Sequence, residues 1–512
     1  MRDAQFFGRR AQAIAARRGR KSTKGDEWQF SFLHSDLPSH RFHPVVHTDD
    51  LRLFLTYRCG LFDRFSHFLG LSNGSKAETT VVNDSRAGIL SKAQTSTANS
   101  SQRLVEANGR SYATPKRPVV VICLDGFDPE YMEKGIADGT LPTIRALKSA
   151  GYVGTALATV PTTTNTNNTS IVTGVSPAIH GINGNYYLDS ETGEEIMVTD
   201  ARRLRCGTIL GAMSKAGVRT AVFTAKDKLL KVLAYEMEGI AFSSEHPNAA
   251  DLTALGFKSG EEMVGRGKPD QYSADLSLFA LDAGLKLLET ARPGLMYLST
   301  SDYVQHKYEP GDDESNVFHS EVDRRIARMI ELGATVALTA DHGMADKSGE
   351  DGQPNVVYLE DTLNEKFGAG TVRVICPIAD PFVRHHGALG GFVRVHLLRA
   401  GDIKAMMTYL RSLPGVELVL DRATVCERYQ LPPDREGDFA VFSDRGTAIG
   451  ARRQDHDLSA LGNHRLRSHG GLGEQRVPFL LSRPLKRDYW ERAERGVLRN
   501  YDIFDFALNG VE

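Results

Sequence analysis

The chain has 512 residues, 62 lysines and arginines against 64 acids, and 41% apolar residues. That length holds one large domain with insertions or two to three domains, and a net charge of −2 excludes a general electrostatic pull toward nucleic acid or membrane surfaces. The cysteines (Cys59, Cys123, Cys206, Cys376 and Cys426) are widely spaced with no CxxC pair, which argues against a disulfide framework or a cysteine-based zinc site and for reduced thiols in a cytoplasmic protein.

Residues 1–104 differ from the rest. Arg2, Arg9, Arg10, Arg17, Arg18, Arg20 and Lys21 face a single early acid, Asp3, a pattern that fits a mitochondrial or other organelle transit segment and equally a solvated basic arm. An aromatic patch follows (Trp28, Phe30, Phe32, Phe54, Phe62, Phe65, Phe68) without a clean period. Ser, Thr, Ala and Asn then dominate from Ser72 to Ser101 and read as a flexible linker. The stretch is expected to be a poorly ordered N-terminal extension. No apolar run approaches ~18 residues, so no transmembrane helix is expected.

From Pro118 the pattern becomes α/β. Val119–Leu124 is a continuous apolar, β-branched run, as a strand buried on both faces requires, and it ends at Asp125-Gly126. A helix is predicted over Pro142–Ala150, with proline in its first turn and Gly151 as its stop. A strand over Val153–Val160 leads through Pro161 into the polar run Thr162–Gly174. That run reads as a tight turn feeding a helix N-terminus, whose unpaired N–H groups and positive dipole end suit an anion. A threonine there is a candidate nucleophile if metal coordination lowers its pKa; alone, such a run is more often a plain helix cap.

The scheme repeats. A helix ending near Gly217 leads to the strand Arg219–Thr224 and then Lys226. A helix from Ala274 to Arg292 leads to Gly294–Leu298 and then Asp302. A helix from Asn316 to Leu332 leads to Ala334–Leu338 and then Asp341-His342. Right-handed crossovers make these strands parallel, with their carboxyl ends along one edge of the sheet. From about Ala345 to Leu461 the rhythm changes. Val372–Cys376, Gly391–Leu397 and Phe439–Ser443 read as strands of a second sheet, with a helix over Ile403–Leu413, in an inserted α+β cap at 346–461. The core, 105–345, resumes at 462–512 with Leu466–Gly471, the run Val477–Leu481 and a closing helix around Ile503–Leu508.

Six residues at strand ends or turns are metal-ligand types: Asp125, Asp302, His306, Asp341, His342 and His469. An aspartate after a strand is ordinarily a turn residue, and a lone histidine ordinarily a surface one. Their conjunction points to two ions. Asp302-x-x-x-His306 puts a carboxylate and an imidazole within reach of one cation, and Asp341-His342 adds an adjacent pair. Oxygen and imidazole ligands without sulfur suit catalytic zinc, or manganese. Two such ions clamp the attacking and leaving oxygens of a displacement at phosphorus.

The stretches V-V-V-I-C-L-D-G-F-D (119–128), P-T-T-T-N-T-N-N-T-S-I-V-T-G (161–174), H-G-I-N-G-N (180–185), S-T-S-D-Y-V-Q-H-K (299–307), A-D-H-G-M (340–344) and S-H-G-G (468–471) occur in this order. Together they resemble the alkaline phosphatase superfamily, in its nucleotide pyrophosphatase/phosphodiesterase-like branch. The resemblance implies an α/β core with a mainly parallel central sheet flanked by helices. It implies a first metal held by Asp125, Thr164, Asp341 and His342, a second held by Asp302, His306 and His469, and Thr164 as nucleophile. Thr166 departs from the proline that relatives often carry there. Thr224-Ala-Lys226-Asp-Lys228 and Asn185 are similar to features of the phosphonoacetate hydrolases. This implies two zinc ions, cleavage of the C–P bond of phosphonoacetate to acetate and phosphate, Asn185 on the phosphonate, and Lys226 and Lys228 on the carboxylate; His306 and His469 also face the substrate. Read as an extended segment, residues 224–228 put both lysines on one side. Neither nucleic acid nor membrane is an expected partner, and a homodimer is compatible with this reading. The alternatives are a nucleotide pyrophosphatase/phosphodiesterase, which wants an apolar slot for a base, a hydrolase of another phosphonate such as phosphonopyruvate, and a metal-stabilised binding protein.

Overall fold

All five side chains of Val119–Cys123 are buried, and the runs Thr220–Thr224, Leu295–Ser299 and Thr335–Thr339 are buried in the same way. Apolar residues on both sides of a strand demand cover on both faces, which parallel sheets obtain from crossover helices. The computed structural model describes residues 103–189, 192–380 and 386–512. The N-terminal extension read from the sequence therefore lies, except for its last two residues, outside the described residues.

In chain order the main strands are β1 (Val119–Cys123), β2 (Tyr152–Leu157), β3 (Thr220–Thr224), β4 (Ile240–Ser243), β5 (Leu295–Ser299), β6 (Thr335–Thr339), β7 (Val372–Ile375), β8 (Phe392–Leu397), β9 (Val416–Asp421), β10 (Phe439–Ser443) and β11 (Arg476–Leu481). Seven of them form the central sheet in the order β2-β11-β6-β1-β5-β3-β4. The five strands from β6 to β4 run parallel; β11 is antiparallel to both its neighbours. The sheet is mainly parallel, as the alternating pattern requires. A second, fully antiparallel sheet has the order β7-β8-β10-β9 and its own apolar core, including Val374, Val393, Val395, Leu410 and Val441.

Helices flank the sheet close to their expected bounds: Pro142–Ala150, Ala274–Thr290 and Asp313–Glu331. The last begins earlier than expected because Asp313 and Glu314 suit the positive end of a first turn. Two expectations are corrected, and two elements are added. The strand expected over Val153–Val160 stops at Leu157, because Thr159 turns away to donate from its N–H and hydroxyl to Asn167 Oδ1 at 2.7 and 2.6 Å. The β9 strand was not anticipated, since its half-exposed V-E-L-V-L-D pattern lacks a continuous apolar run. The closing helix is a short turn, Ile503–Asp505, continued by a π-turn over Phe506–Gly510. Residues 104–113 form a hairpin whose Asn108-Gly109 turn has φ of 52° and 79°, the left-handed pair a two-residue hairpin needs. No helix among the described residues is long and apolar enough to cross a membrane.

Candidate active site

The site follows from strand register. Cys123 of β1 lies opposite Thr339 of β6 and Ser299 of β5, and Ser299 lies opposite Thr224 of β3. Four carboxyl ends are therefore level. Just beyond them the chain sets Asp125, Asp341-His342, Asp302 and Lys226 along one edge, all less than a tenth exposed. Gly126 makes the turn after Asp125 at φ 70°, and a side chain there would press within 3.2 Å of Asp302 Cβ. Its N–H donates to Asp341 Oδ1 at 3.3 Å, and the Asp125 N–H donates to Thr300 Oγ1 at 2.9 Å.

Thr164 opens a wholly buried helix, Thr164–Thr173, that ends at Gly174 with φ 71°. Its hydroxyl lies 3.4 Å from His342 Nε2. Thr166 bonds through its hydroxyl to that of Thr163 at 2.9 Å and so closes the first turn. One turn on, Asn168 donates to the Thr164 carbonyl at 3.1 Å and to Asp341 Oδ2 at 3.0 Å. It accepts from the Tyr297 hydroxyl at 2.8 Å and the Ser299 hydroxyl at 3.0 Å.

His469 arrives from far along the chain through two pairings. Ala345-Asp346, just after His342, pairs antiparallel with Arg467-Ser468. Thr162 then stitches the turn before Thr164 to the His469 loop: its N–H donates to the Gly470 carbonyl at 3.2 Å, and its hydroxyl accepts from the Gly470 N–H at 2.9 Å. His306 follows Asp302 by one helical turn, which brings its Nε2 to 3.0 Å from Asp302 Oδ2.

The three histidines share one orientation device. Each has Nδ1 against a backbone carbonyl: His306 on Arg467 at 2.6 Å, His342 on Gly343 at 2.9 Å, His469 on Thr162 at 2.6 Å. A carbonyl only accepts, so each Nδ1 donates to it and each ring turns its Nε2 inward. These nitrogens meet carboxylate oxygens: His342 Nε2 faces Asp125 Oδ1 at 3.1 Å, and His469 Nε2 faces Asp302 Oδ2 at 3.7 Å. The His342 and His469 rings stack at 3.5 Å between centroids. Carboxylates and imidazole nitrogens converging in this way need positive charge between them, from ring protons or from bound cations. Asp125 Oδ1, buried without a hydrogen-bond partner, makes the same demand. Two trios, Asp125-Asp341-His342 and Asp302-His342-His469, each offer ligand atoms within 4.8 Å of one another. The donor set is oxygen and imidazole, and a backbone carbonyl on the other ring nitrogen orients each histidine, as in metal-ligating histidines. The residues fit divalent cations.

Burial and the neighbouring Asp125 raise the Asp341 carboxyl to about 8, against the pull of His342 and Lys226. His342 is opposed by burial yet raised to about 9 by Asp341 and Asp125, so positive charge is favoured at that ring. Burial and the repulsion of His342 and His306 hold His469 well below the ordinary histidine value. Asp302 is opposed by burial but held well below the carboxylate range by Lys226 and His306.

The residues expected to face substrate have different surroundings. Asn185 accepts from the Asn165 N–H at 3.0 Å, beside Thr164, and donates to the Ile378 carbonyl at 3.3 Å. The alternation argument for the lysines is corrected, because a helix begins at Asp227: Lys226 caps it and Lys228 lies inside it. Lys226 turns inward and donates to Asp125 Oδ2 at 2.6 Å and Asp302 Oδ1 at 2.8 Å, one carboxylate from each trio. Lys228 forms a buried ion pair with Asp380. Sequence reasoning missed Asn168, Asp380 and His386. The helical spacing from Thr164 could have found Asn168. His386, whose ring centroid is 5.1 Å from that of His306, has no local signal.

Residues 119–471 match the family described as type I phosphodiesterase / nucleotide pyrophosphatase. Among solved structures, phosphonoacetate hydrolase from Sinorhizobium meliloti 1021, in complexes with phosphonoacetate and with phosphonoformate, is 43% identical and superposes with a TM-score of 0.75 over 80% of this chain and 99% of that one. Phosphonoacetate hydrolase from Penicillium oxalicum is 57% identical over 49 residues, which cover 9% of this chain and 68% of the relative. Murine ectonucleotide pyrophosphatase / phosphodiesterase 5 shares the fold at 16% identity, with a TM-score of 0.53 over 76% of this chain and 94% of that one. By the span of that match, its alkaline-phosphatase-like sheet and its length-wide similarity to the Sinorhizobium enzyme, the chain belongs to the type I phosphodiesterase / nucleotide pyrophosphatase family.

Proposed function

We propose that this protein hydrolyses the C–P bond of phosphonoacetate, giving acetate and phosphate, with Thr164 as nucleophile. The observation that carries the substrate is the 43% identity, over 99% of its chain, to an enzyme whose structures hold phosphonoacetate and phosphonoformate. Asp125, Thr164, Asp341 and His342 would hold one zinc ion, and Asp302, His306 and His469 another. Such a pair supplies positive charge for phosphonate oxygens and lowers the pKa of the attacking hydroxyl.

The chain's own residues account for the rest. Thr164 presents its oxygen at a helix N-terminus, where developing negative charge is favoured. Asn168 fixes that turn to Asp341, so nucleophile and ligand move together. Asn185, held against the Asn165 N–H, faces the phosphonate. Thr164 releases its hydroxyl proton to solvent, and attack by its Oγ1 forms an O–P bond and breaks C–P. The electron pair passes to the leaving carbon and delocalises into the carboxylate as an enolate, which takes a proton from water to become acetate. Water then cleaves the phosphothreonine ester and releases phosphate. Cations at the carboxylate stabilise charge that grows toward the transition state, so Lys228 and the third N–H of Lys226 would lower the barrier as well as bind. The division into a core (105–345 and 462–512) and a cap (346–461) belongs to the same proposal: the central sheet supplies the ligands, and the antiparallel sheet walls the substrate side.

The test compares phosphate release from phosphonoacetate with nitrophenol release from a bis(nitrophenyl) phosphodiester, alongside metal content. Phosphonoacetate turnover far above diester turnover, with about two zinc per chain, is the expected result given a two-ion site. Diester turnover alone would favour the nucleotide pyrophosphatase/phosphodiesterase reading.

A further inference from the structure

We infer that Asp380 is a specificity-determining residue: its carboxylate positions the Lys228 ammonium for recognition of the substrate's carboxylate. The inference rests on the function proposed above and adds a residue outside the ligand set.

Lys228 lies in the first turn of the helix Asp227–Leu233, on the core side of the site. Its four-carbon stem has no fixed direction of its own. Asp380 comes from the chain just after β7, on the antiparallel-sheet side. The pair is buried, with side-chain exposures of 7% for Lys228 and 1% for Asp380. A buried ammonium requires a counterion, and the position of that counterion decides where the ammonium sits.

The same short segment reaches the other predicted substrate contact. The Pro377 carbonyl accepts from the Asn185 N–H at 2.9 Å, and the Ile378 carbonyl accepts from Asn185 Nδ2 at 3.3 Å. Within four residues, then, the chain after β7 orders the group expected on the phosphonate and the group expected on the carboxylate. Beyond it, His386 packs its ring 5.1 Å from His306. None of Pro377, Ile378, Asp380 and His386 is a predicted metal ligand, and the metal-ligand cluster contains no partner of Lys228. An ammonium has three N–H donors, so a bond to Asp380 leaves others to meet a second carboxylate.

The test measures kcat/KM on phosphonoacetate and on the bis(nitrophenyl) diester for wild type, Asp380→Ala, Asp380→Asn, Lys228→Met and the double variant Lys228→Met/Asp380→Ala. Asp380→Ala should lower kcat/KM on phosphonoacetate about tenfold more than on the diester, the scale of one charge-assisted hydrogen bond. Asp380→Asn, which keeps an acceptor oxygen, should recover much of that difference and guards against a folding failure of the alanine variant. In the double variant the Asp380 substitution should add little to the loss already caused by Lys228→Met. Equal losses on both substrates would reduce the pair to a structural tie and overturn the inference. So would a lower KM for phosphonoacetate in Asp380→Ala, because Asp380 would then be competing with the substrate for Lys228. Wild-type failure on phosphonoacetate with good diester turnover would refute the proposed function itself, a result separate from every variant outcome.

Discussion

Replacing Lys226 and Lys228 singly with methionine should have different consequences, although only one residue separates them. Lys226 donates to Asp125 at 2.6 Å and to Asp302 at 2.8 Å, and all three side chains are buried. Methionine keeps most of the stem and removes the charge, leaving two buried carboxylates without that ammonium. Breaking a buried pair in this way costs about 3–5 kcal/mol. The loss should appear in denaturant unfolding of chelator-treated protein and shrink when zinc is restored, because bound cations compensate the same carboxylates. Both substrates should suffer, since both need the ligands that Lys226 braces. Lys228 touches Asp380 and no predicted ligand. Its replacement should lower kcat/KM on phosphonoacetate about ten- to hundred-fold, from about 1.5–3 kcal/mol of lost charge-assisted contact, with part of the loss on kcat because enolate charge develops late. Diester turnover should fall much less. The assay is kcat/KM for both substrates in both variants, with unfolding measured with and without zinc. Identical substrate profiles for the two variants would refute the reasoning, because the distinct partners of the two ammonium groups would then have no consequence.

Thr164→Ala should abolish turnover while about two metal ions remain bound, since most ligands of a two-ion site are untouched; activity in this variant would show that water attacks phosphorus directly. His469→Ala should lose one metal selectively, measured by metal analysis after dialysis, because its Nε2 faces Asp302 and its neighbours keep their own supports. Full metal content and activity there would remove His469 from the ligand set, with His464 the nearest replacement. Deleting residues 1–102, which spares the hairpin beginning at Leu104, should leave a folded, active hydrolase; insolubility would show that the aromatic patch in the removed stretch packs on the core.

Local chemistry made much of the fold legible. Val119–Cys123 could only be a strand covered on both faces, because five consecutive apolar residues leave no face for water. Pro142 and Gly151 bracket a helix, since one is tolerated in a first turn and the other frees the chain to leave the spiral. The strand β9 escaped notice because its alternation is imperfect and its burial comes from pairing with β10. In the site, Asp125, Asp302 and Asp341-His342 were legible by position, because residues just past parallel strand ends are delivered to one edge. Asp302 and His306 were legible as a pair, because four residues make about one helical turn.

Contacts between distant segments were not legible in this way. His469 reaches the ligands because Arg467-Ser468 pairs with Ala345-Asp346 and Thr162 binds the following glycine, and no local pattern encodes either pairing. The two lysines form one carboxylate clamp only if residues 224–228 are extended. The helix that starts at Asp227 turned one ammonium toward the ligand carboxylates and left the other to Asp380, 152 residues away. The sequence by itself determined which segments are strands and helices and which metal-ligand side chains stand at their ends, because those properties depend on neighbours one turn or one pleat away. Tertiary structure alone decided which ends converge and which charges meet, because an ion pair forms between whatever groups the packed sheets bring within a few ångströms.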